Sequence, residues 1–413
     1  MLFITEEYPP LEEGCGGVAS YVASIAPMLA SRGHEVHVLS CMGKQSHRDY
    51  FERGVAVHRR GVVSIPGLRQ LKKILKMPMT CEAVRAGISN FIECRRLGIE
   101  FDVIEYPDLG AEGWMFALRH HSPLVAHLHL PIPIWLSTEE IEENPRDFRW
   151  TSFFERIAIR RAEVVTSPSR LLVKRMTELN WFQGKNPQII SQFLHWPDWS
   201  PTRSIRDSPP TVLFLSWLGK NKAPEVLVEA IGIVRKKHPE AHVVFAGVSL
   251  GTREGLPYVD WIKKTASDLN GCQFVGYVPH QEVIHLISSC RVLAMPSWFE
   301  NFPIAALEAM AGGRPVVVTA TTGIADFIKT EKAGSIVPPG DADALAEALL
   351  PYLRDAEYAA EIGANAQRAV RNFLSPQKIL EQREAVYQHA IDSFRAKKVT
   401  RLCGFQLWNQ GNA

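Results

Sequence analysis

Residues 291–319 constrain the fold of this 413-residue chain more than any other stretch. Residues 291–296 and 315–319 are apolar runs of strand length, and Pro303 stands between them where a helix would begin. A strand, a loop, a helix and a further strand in this order predict one unit of a parallel α/β sheet. Open sheets of this kind bind ligands at the carboxyl ends of their strands.

The predicted helix, residues 304–311, is apolar except at Glu308, so we expect a core helix that carries one carboxylate. A buried carboxylate is costly unless a partner hydrogen-bonds it, which makes Glu308 a candidate ligand-binding residue. Glu300 lies in the loop before the helix, and the backbone N–H groups of residues 302–304, apart from the proline, can receive an anion. The alternative is a core helix whose glutamate is capped by a neighbouring backbone group or arginine.

The pair in Glu300-Asn-Phe-Pro-Ile-Ala-Ala-Leu-Glu308 resembles the Glu-x(7)-Glu signature of retaining glycosyltransferases of family 4, which have the GT-B fold. The resemblance covers residues 5–393. It implies that Glu308 binds the ribose hydroxyls of a nucleotide sugar and that Glu300 lies beside the sugar. The loop residues that it places against the donor are Phe302, Pro303 and Ile304.

Length and composition set the class of protein. A chain of 413 residues, 46% of them hydrophobic, is sufficient for two domains with their own cores. The formal net charge of +2 gives no global sign of nucleic-acid binding. Seven scattered cysteines without metal-like spacing indicate free thiols in a reducing compartment. Because no apolar run reaches about 18 residues and no charged leader precedes the first strand, we expect a cytoplasmic protein, or one peripheral at the inner face of the membrane.

The N-terminal residues 2–5, 18–31 and 35–39 predict a strand, a helix and a strand, with Gly16 and Gly17 just before the helix. Paired glycines at the start of a helix let the backbone approach a phosphate closely. This opening is similar to that of the same transferase family. The similarity implies that the glycine loop faces the donor phosphates and the acceptor.

A basic segment, residues 53–96, contains ten Lys or Arg against two Glu. Within it Arg69, Lys72, Lys73 and Lys76 recur at helical spacing among leucines and an isoleucine. Such a helix can lie on an anionic membrane surface, where a lipid-linked acceptor would be found. An ordinary solvated helix face explains the pattern equally well.

Two further strands are predicted at residues 101–105 and 123–129, each ending in polar residues. His129 matches the active-site histidine of the family, and the resemblance therefore makes it a catalytic candidate. A satisfied core or loop histidine is the alternative. Glu105 stands where family members often carry a histidine, in the sub-group form Asp-Val-Ile-Glu-x-Pro-Asp.

The second half of the chain alternates strands and helices after a proline-rich polar segment, and residues 211–215 and 242–246 are two of the predicted strands. We expect an N-terminal Rossmann-like acceptor-side domain (1–195), a linker (196–210) and a C-terminal nucleotide-sugar-binding domain (211–375). Residues 376–395 are predicted to form a helix, and the resemblance implies that this helix crosses back to the first domain. Residues 396–413 are predicted to form a tail. The fold class is α/β, with two Rossmann-like domains of the GT-B type facing a cleft.

The departing nucleotide diphosphate needs cations or oriented amides, because bond cleavage adds negative charge to its β-phosphate. The family supplies an Arg and a Lys five positions apart, after the first strand of the second domain. Lys222 matches that lysine, whereas Trp217 stands in place of the arginine. Lys220 can supply a second charge, but a lysine cannot reproduce the planar arginine fork.

The resemblance implies a retaining hexosyltransferase-type enzyme (EC 2.4) with His129, Glu300 and Lys222 as its catalytic residues. It would move a sugar from a nucleotide diphosphate to a hydroxyl acceptor, sugar or lipid-linked, in glycan, polysaccharide or glycolipid synthesis. It needs no metal and no other cofactor, and nucleic acid is not a partner.

Three alternatives stand beside this prediction. Asp341-Ala-Asp343 looks like a metal-binding motif, but Asp341 is placed to cap the helix 342–350. Another enzyme on the same fold, an epimerase or a phosphorylase, would use the same cleft, and only product analysis would separate it from a transferase. A nucleotide-sugar-binding protein without transfer activity is supported by Trp217 alone.

Overall fold

The computed structural model of the protein describes residues 1–9, 16–43, 47–119, 121–137, 144–193, 203–266 and 269–410. These residues form two compact units. The first contains the described residues up to Phe193 together with those from Pro376 onward, and the second contains those between them. Each unit has its own sheet, in which parallel pairing predominates.

The first unit begins with an alternation of strands and helices. Its strands are β1 (Leu2–Thr5), β2 (Val36–Cys41), β3 (Arg48–Glu52), β4 (Val55–Arg60), β5 (Ile104–Pro107), β6 (Leu124–His127), β7 (Val164–Ser167) and β8 (Gln188–Ile189). Its helices up to residue 193 are α1 (Gly17–Ser31), α2 (Leu68–Leu75), α3 (Pro78–Leu97), α4 (Trp114–Arg119), α5 (Ile132–Leu136), α6 (Pro145–Arg161) and α7 (Arg170–Glu178). The strands lie in the order β3-β4-β2-β1-β5-β6-β7-β8, and β3 is antiparallel to β4.

The central strands of this sheet are buried along their whole length, as apolar runs between two layers of helices should be. The sequence predicts β1 at its observed bounds, and it predicts β5 and β6 within two to three residues. It does not predict β3 and β4, because β3 is an exposed edge strand rich in charged residues. Charge on an edge strand removes the alternation by which a strand is recognised.

The second unit repeats the pattern. Its strands are β9 (Thr211–Leu215), β10 (His242–Ala246), β11 (Thr252–Arg253), β12 (Leu256–Pro257), β13 (Cys272–Gly276), β14 (Val292–Met295), β15 (Val316–Thr319) and β16 (Gly334–Val337). Its helices are α8 (Pro224–Lys237), α9 (Tyr258–Thr265), α10 (His280–Ser289), α11 (Ile304–Ala311), α12 (Ala325–Glu331), α13 (Ala342–Arg354) and α14 (Ala356–Phe373). The main sheet is parallel throughout, in the order β13-β10-β9-β14-β15-β16.

The core of the second unit lies along β9, where Val212 pairs with Val243 of β10 on one side and with Val292 of β14 on the other. Phe214 and Phe245 pack on each other across the same strands, with ring centroids 5.3 Å apart. Both rings are buried. The α/β class predicted from the sequence, two Rossmann-like domains with parallel sheets, is confirmed.

The last helix, α15 (Pro376–Gln410), belongs to the first unit, where the resemblance places it. It continues past residue 395, the predicted end, since no proline follows Pro376. Of the predicted linker, residues 196–202 lie outside the described residues. Residues 203–210 belong to the second unit and include a short 3₁₀ helix, Ile205–Asp207.

Two features of the whole chain bear on its environment. In the part of the chain that the structure describes, each helix is too short or too polar to cross a bilayer. Among the described residues, Cys41, Cys81, Cys94 and Cys290 are free thiols.

Candidate active site

The loop between β14 and α11 carries Glu300 at the carboxyl edge of the second sheet. The backbone N–H of Glu300 donates to the carbonyl of Thr321, over 3.2 Å, and its carbonyl accepts from the N–H of Gly323, over 2.7 Å. These bonds tie the loop to the segment after β15. Helix α11 has its predicted bounds, and Pro303 is its N-cap residue, so it lies just before the first helical turn.

Lys222 forms an ion pair with Glu300 through Nζ and Oε2. The side chains are 20% and 17% exposed, so the pair is open to a ligand yet largely shielded from water. Asn221 joins the two loops: its side-chain amide donates to the backbone carbonyl of Phe299 over 3.2 Å, and its backbone carbonyl accepts from the N–H of Trp298 over 2.8 Å. These bonds hold the residue before Lys222 against the residues before Glu300, which places the lysine beside the glutamate.

Helix α11 is not buried all round, contrary to our expectation of a core helix. Its buried residues include Leu307 and Met310, whereas Ile304, Ala305 and Glu308 are partly exposed. Ile304 and Ala305 lie four and three positions before Glu308, so both adjoin it on one face of the helix. Glu308 is therefore a partly exposed carboxylate beside two partly exposed apolar residues. Partial exposure lowers the desolvation cost of its charge and leaves the carboxylate accessible to a ligand.

Two further predicted positions lie after β9. Lys220 begins the short 3₁₀ helix Lys220–Lys222, two positions before the paired lysine. Trp217, which replaces the family arginine, is 49% exposed. A side chain at this position therefore projects from the sheet edge instead of filling the core.

The paired glycines lie in the first unit, at the start of α1. The N–H of Gly16 donates to Oε2 of Glu7 over 3.0 Å, so a carboxylate already occupies one amide of this helix terminus. A Cβ at Gly17 would meet nothing within 4 Å. The predicted contact with donor phosphates remains a prediction, and residues 10–15 of the predicted loop lie outside the described residues.

His129 follows β6 in the first unit and is partly buried. Its backbone N–H donates to Oδ1 of the fully buried Asp108, over 2.7 Å. Its ring packs edge-on against that of His127, with centroids 4.7 Å apart, and edge-on against Tyr21 at 5.6 Å. The amide nitrogen of Gln192 lies 3.5 Å from Nδ1 of His129.

A buried charged network lies behind this histidine. Glu105 accepts hydrogen bonds from the hydroxyls of Tyr21, over 2.7 Å, and Tyr387, over 2.9 Å. The guanidinium of Arg383 lies 3.6 Å from the same carboxylate. Sequence reasoning did not identify Tyr21, His127, Arg383 or Tyr387. The available signal was Glu105 itself, a carboxylate in an apolar strand where the family often has histidine.

Burial sets the protonation of the groups around His129. Burial, with the cationic Arg383 as the second cause, lowers the pKa of His129 to about 3. The same two causes, with His129 itself, hold the pKa of His127 well below its usual value. Burial raises the pKa of Asp108 to about 7, against the hydrogen bonds from backbone N–H groups that favour its charged form. At neutral pH both imidazoles are thus uncharged.

No set of three His, Cys, Asp or Glu side chains within the described residues is arranged to hold a metal ion. The predicted cap at the start of α13 is confirmed, because Oδ1 of Asp341 accepts from the N–H of Ala344 over 2.8 Å.

The predicted residues thus divide between the units. Gly16, Gly17 and His129 belong to the first, and Lys220, Lys222, Glu300, Phe302, Pro303, Ile304 and Glu308 to the second.

Comparisons with known proteins agree with this fold. Residues 15–193 match the family described as Glycosyltransferase Family 4, and residues 197–369 match Glycosyl transferases group 1. An uncharacterized glycosyltransferase of Methanocaldococcus jannaschii is 26% identical over 94% of this chain and 98% of its own length.

Among solved structures, sucrose-phosphate synthase of Thermosynechococcus elongatus is similar with a TM-score of 0.76, at 20% identity over 95% of this chain and 99% of that chain. HepE of Anabaena, solved with UDP and glucose, has a TM-score of 0.67 at 18% identity over 94% and 98% of the two chains. The chain is therefore a glycosyltransferase of the GT-B fold. It belongs to family 4 of these enzymes.

Proposed function

We propose that this protein is a retaining transferase that moves a hexose from a nucleotide diphosphate to a hydroxyl acceptor, in the cytoplasm and without a metal or other cofactor. The observation that carries the proposal is the Lys222–Glu300 ion pair at the carboxyl edge of a parallel sheet, the edge where such sheets bind ligands. Synthesis of a glycan, a polysaccharide or a glycolipid is the role we assign to the transfer.

Each residue has a distinct part in the proposed reaction. Lys222 neutralises the charge that grows on the diphosphate as the sugar leaves, and Glu300 holds the sugar. Glu308 binds the ribose from the partly exposed face of α11, assisted by the amide-bearing loop before it. His129, which is uncharged and packed against the rings of His127 and Tyr21, contacts the acceptor. No protein nucleophile is assigned, since the departing phosphate can take the acceptor proton on the same face.

A panel of nucleotide diphosphates ranked by thermal shift tests this function first, because a bound ligand stabilises the folded state in proportion to its affinity. The best nucleotide is then supplied as its sugar conjugates with candidate acceptors. NMR of the product shows whether the anomeric configuration is retained. Undiminished activity after chelation supports metal independence. An epimerised sugar or phosphorolysis in place of transfer would contradict the proposal.

The variant Glu308→Ala is expected to weaken binding of that nucleotide diphosphate by about ten-fold to one-hundred-fold. A hydrogen bond to a charged group is worth about 1.5–3 kcal/mol, and alanine removes it. Isothermal titration measures the change. Glu347→Ala, which removes an exposed carboxylate of α13 in the same unit, is the matched control. Equal affinity of both folded variants would exclude Glu308 from the nucleotide site.

We also propose that α2 seats the protein on anionic membrane at its inner face, where a lipid-linked acceptor would be reached. The structure describes no buried residue in this helix. Leu71, Ile74 and Leu75 are 46%, 76% and 45% exposed, and Arg69, among the cations beside them, is exposed too. A solvated helix face does not need this much exposed apolar surface, whereas an interfacial helix does.

Co-sedimentation with vesicles containing an anionic lipid is expected, and it should decrease as salt rises. Replacing Leu71 and Ile74 together by serine should weaken vesicle binding about ten-fold, because their side chains no longer enter the interface. Leu179→Ser, at an equally exposed leucine after α7, is the control. Binding to neutral vesicles at the same strength, or a double variant that binds like the control, would contradict the proposal.

A further inference from the structure

The C-terminal helix α15 places a charged side chain behind the predicted catalytic histidine. Arg383 is fully buried. Its Nη2 lies 3.3 and 3.4 Å from the two ring nitrogens of His127, and its Nη1 lies 3.2 Å from Oγ1 of Thr166. Its guanidinium also covers the ring of Tyr21, at 5.0 Å from the ring centroid.

We propose that Arg383 is a positioning residue for His129, acting through His127, whose ring it fixes and against which the His129 ring packs edge-on. The inference rests on the proposed catalytic part of His129. It assigns to the C-terminal helix, about 250 residues away in sequence, a function in the reaction as well as in folding.

Several neighbouring side chains fix the orientation of the His127 ring. Nδ1 lies 2.8 Å from Oγ1 of Thr166, and the amide nitrogen of Gln192 lies 3.4 Å from Nε2. One face stacks on Tyr21, with centroids 4.5 Å apart. A ring held in this way leaves the neighbouring His129 little freedom on the side where they touch, since packed aromatic edges resist rotation.

Glu105 determines the position of Arg383 in turn. The carboxylate lies between the hydroxyls of Tyr21 and Tyr387 and faces the guanidinium, so the cation cannot leave without breaking a buried ion pair. The arrangement also keeps a fixed positive charge beside both imidazoles, which opposes their protonation. Among the described residues, the charged and titratable groups that face His129 are Tyr21, Asp108, His127 and Arg383. Glu105 bonds to two of these groups and to Tyr387, and Asp108 interacts electrostatically with Glu155.

The test replaces the ion pair as a unit, in the variant Glu105→Gln with Arg383→Met, so that no lone charge stays buried. We expect kcat to fall about ten-fold to one-hundred-fold, as displacement of a reacting group by about 1 Å does. The affinity for the nucleotide diphosphate, measured by titration, should stay within about two-fold. Arg383→Lys, which keeps the charge, should restore part of the lost kcat.

NMR of the protein labelled at histidine Cε1 gives a readout that does not need turnover. Replacing the pair should shift the signal of His129 and raise its pKa, since the nearby cation is gone. Arg395→Met, at an exposed arginine of the same helix, should change neither kcat nor the His129 signal.

The outcomes separate the two proposals. An unchanged His129 signal in the folded double variant would overturn the positioning role. A double variant that lowers nucleotide affinity and kcat together would do the same, because it would show a general structural effect. A shifted His129 signal in a protein with no transfer activity of any kind would overturn the proposed function and with it the role of Arg383 in the reaction, and would leave only its effect on the His129 ring.

Discussion

Replacing Lys222 by alanine is expected to lower kcat for sugar transfer by about 10²–10³-fold, which is the usual cost of losing one group that stabilises transition-state charge. The cost should be at the upper end, because Trp217 stands where the family has an arginine and cannot share the charge. The change also removes the ion-pair partner of Glu300. Steady-state kinetics with the best nucleotide sugar from the panel measures the loss.

Three comparison variants define what the loss means. Lys220→Ala should reduce kcat only in part, since Lys220 can supply a second charge but lies two residues from the ion pair. Lys237→Ala, at the exposed end of α8, should leave kcat unchanged. Trp217→Arg should give equal or higher activity, because the exposed position offers a guanidinium room at the sheet edge.

The kinetics also discriminate between mechanisms. Turnover that does not depend on Lys222 would end the leaving-group role proposed for it. If neither the wild-type protein nor any variant transfers sugar, yet a nucleotide diphosphate binds tightly, the result favours a nucleotide-sugar-binding protein without transfer activity. In that case Trp217→Arg should weaken binding, because the indole would then be a ligand contact.

The fold could be predicted where local pattern and burial agree. Strands β9 and β10 occupy the predicted residues 211–215 and 242–246, because a strand buried on both faces leaves a continuous apolar run in the sequence. The hairpin of β3 and β4 could not be predicted in this way. Its outer strand is charged and exposed, and its position depends on pairing with β4, which no local pattern records.

The candidate site was predictable only in part. The resemblance identifies Lys222 and Glu300, which are 78 positions apart, yet their ion pair depends on Asn221, whose three hydrogen bonds to Trp298 and Phe299 join the two loops. The sequence marks Glu308 as the polar residue of an apolar helix but predicts more burial than its partly exposed side chain has. A composition pattern shows which residues are apolar, and only the packing shows which face of the helix has a neighbour.

The buried network of Glu105 and Arg383 next to the histidines could not be predicted from local sequence patterns. Arg383 stands in a run of polar and charged residues that is typical of a solvated helix, and nothing in that run indicates burial. Its partners come from α1, β5, β6 and β7. The charge is tolerated inside the protein because of Glu105, whose pairing with a residue of α15 is visible only in three dimensions.

Arg314 is a second arginine whose burial the sequence conceals. It follows the two glycines after α11, yet its side chain is only 1% exposed. The guanidinium donates to the carbonyls of Ile287, over 2.9 Å, and Ser288, over 2.6 Å. It also donates to the carbonyls of Arg203 and Gly312, over 2.9 and 3.3 Å. One side chain therefore joins the start of the second unit, the end of α10 and the turn that leads into β15.

Arg314→Met is therefore expected to destabilise the second unit by about 3–5 kcal/mol, because methionine fills much of the space but leaves several buried carbonyls without this donor. For a unit of this size the change corresponds to a fall in Tm of roughly 6–20 °C. Differential scanning calorimetry should show the loss in one of the two unfolding transitions if the units melt separately. Arg371→Met, at an exposed arginine of α14, should leave both unchanged. Equal melting of the two variants would mean that the four bonds of Arg314 do not hold the unit together, and that its burial has another cause.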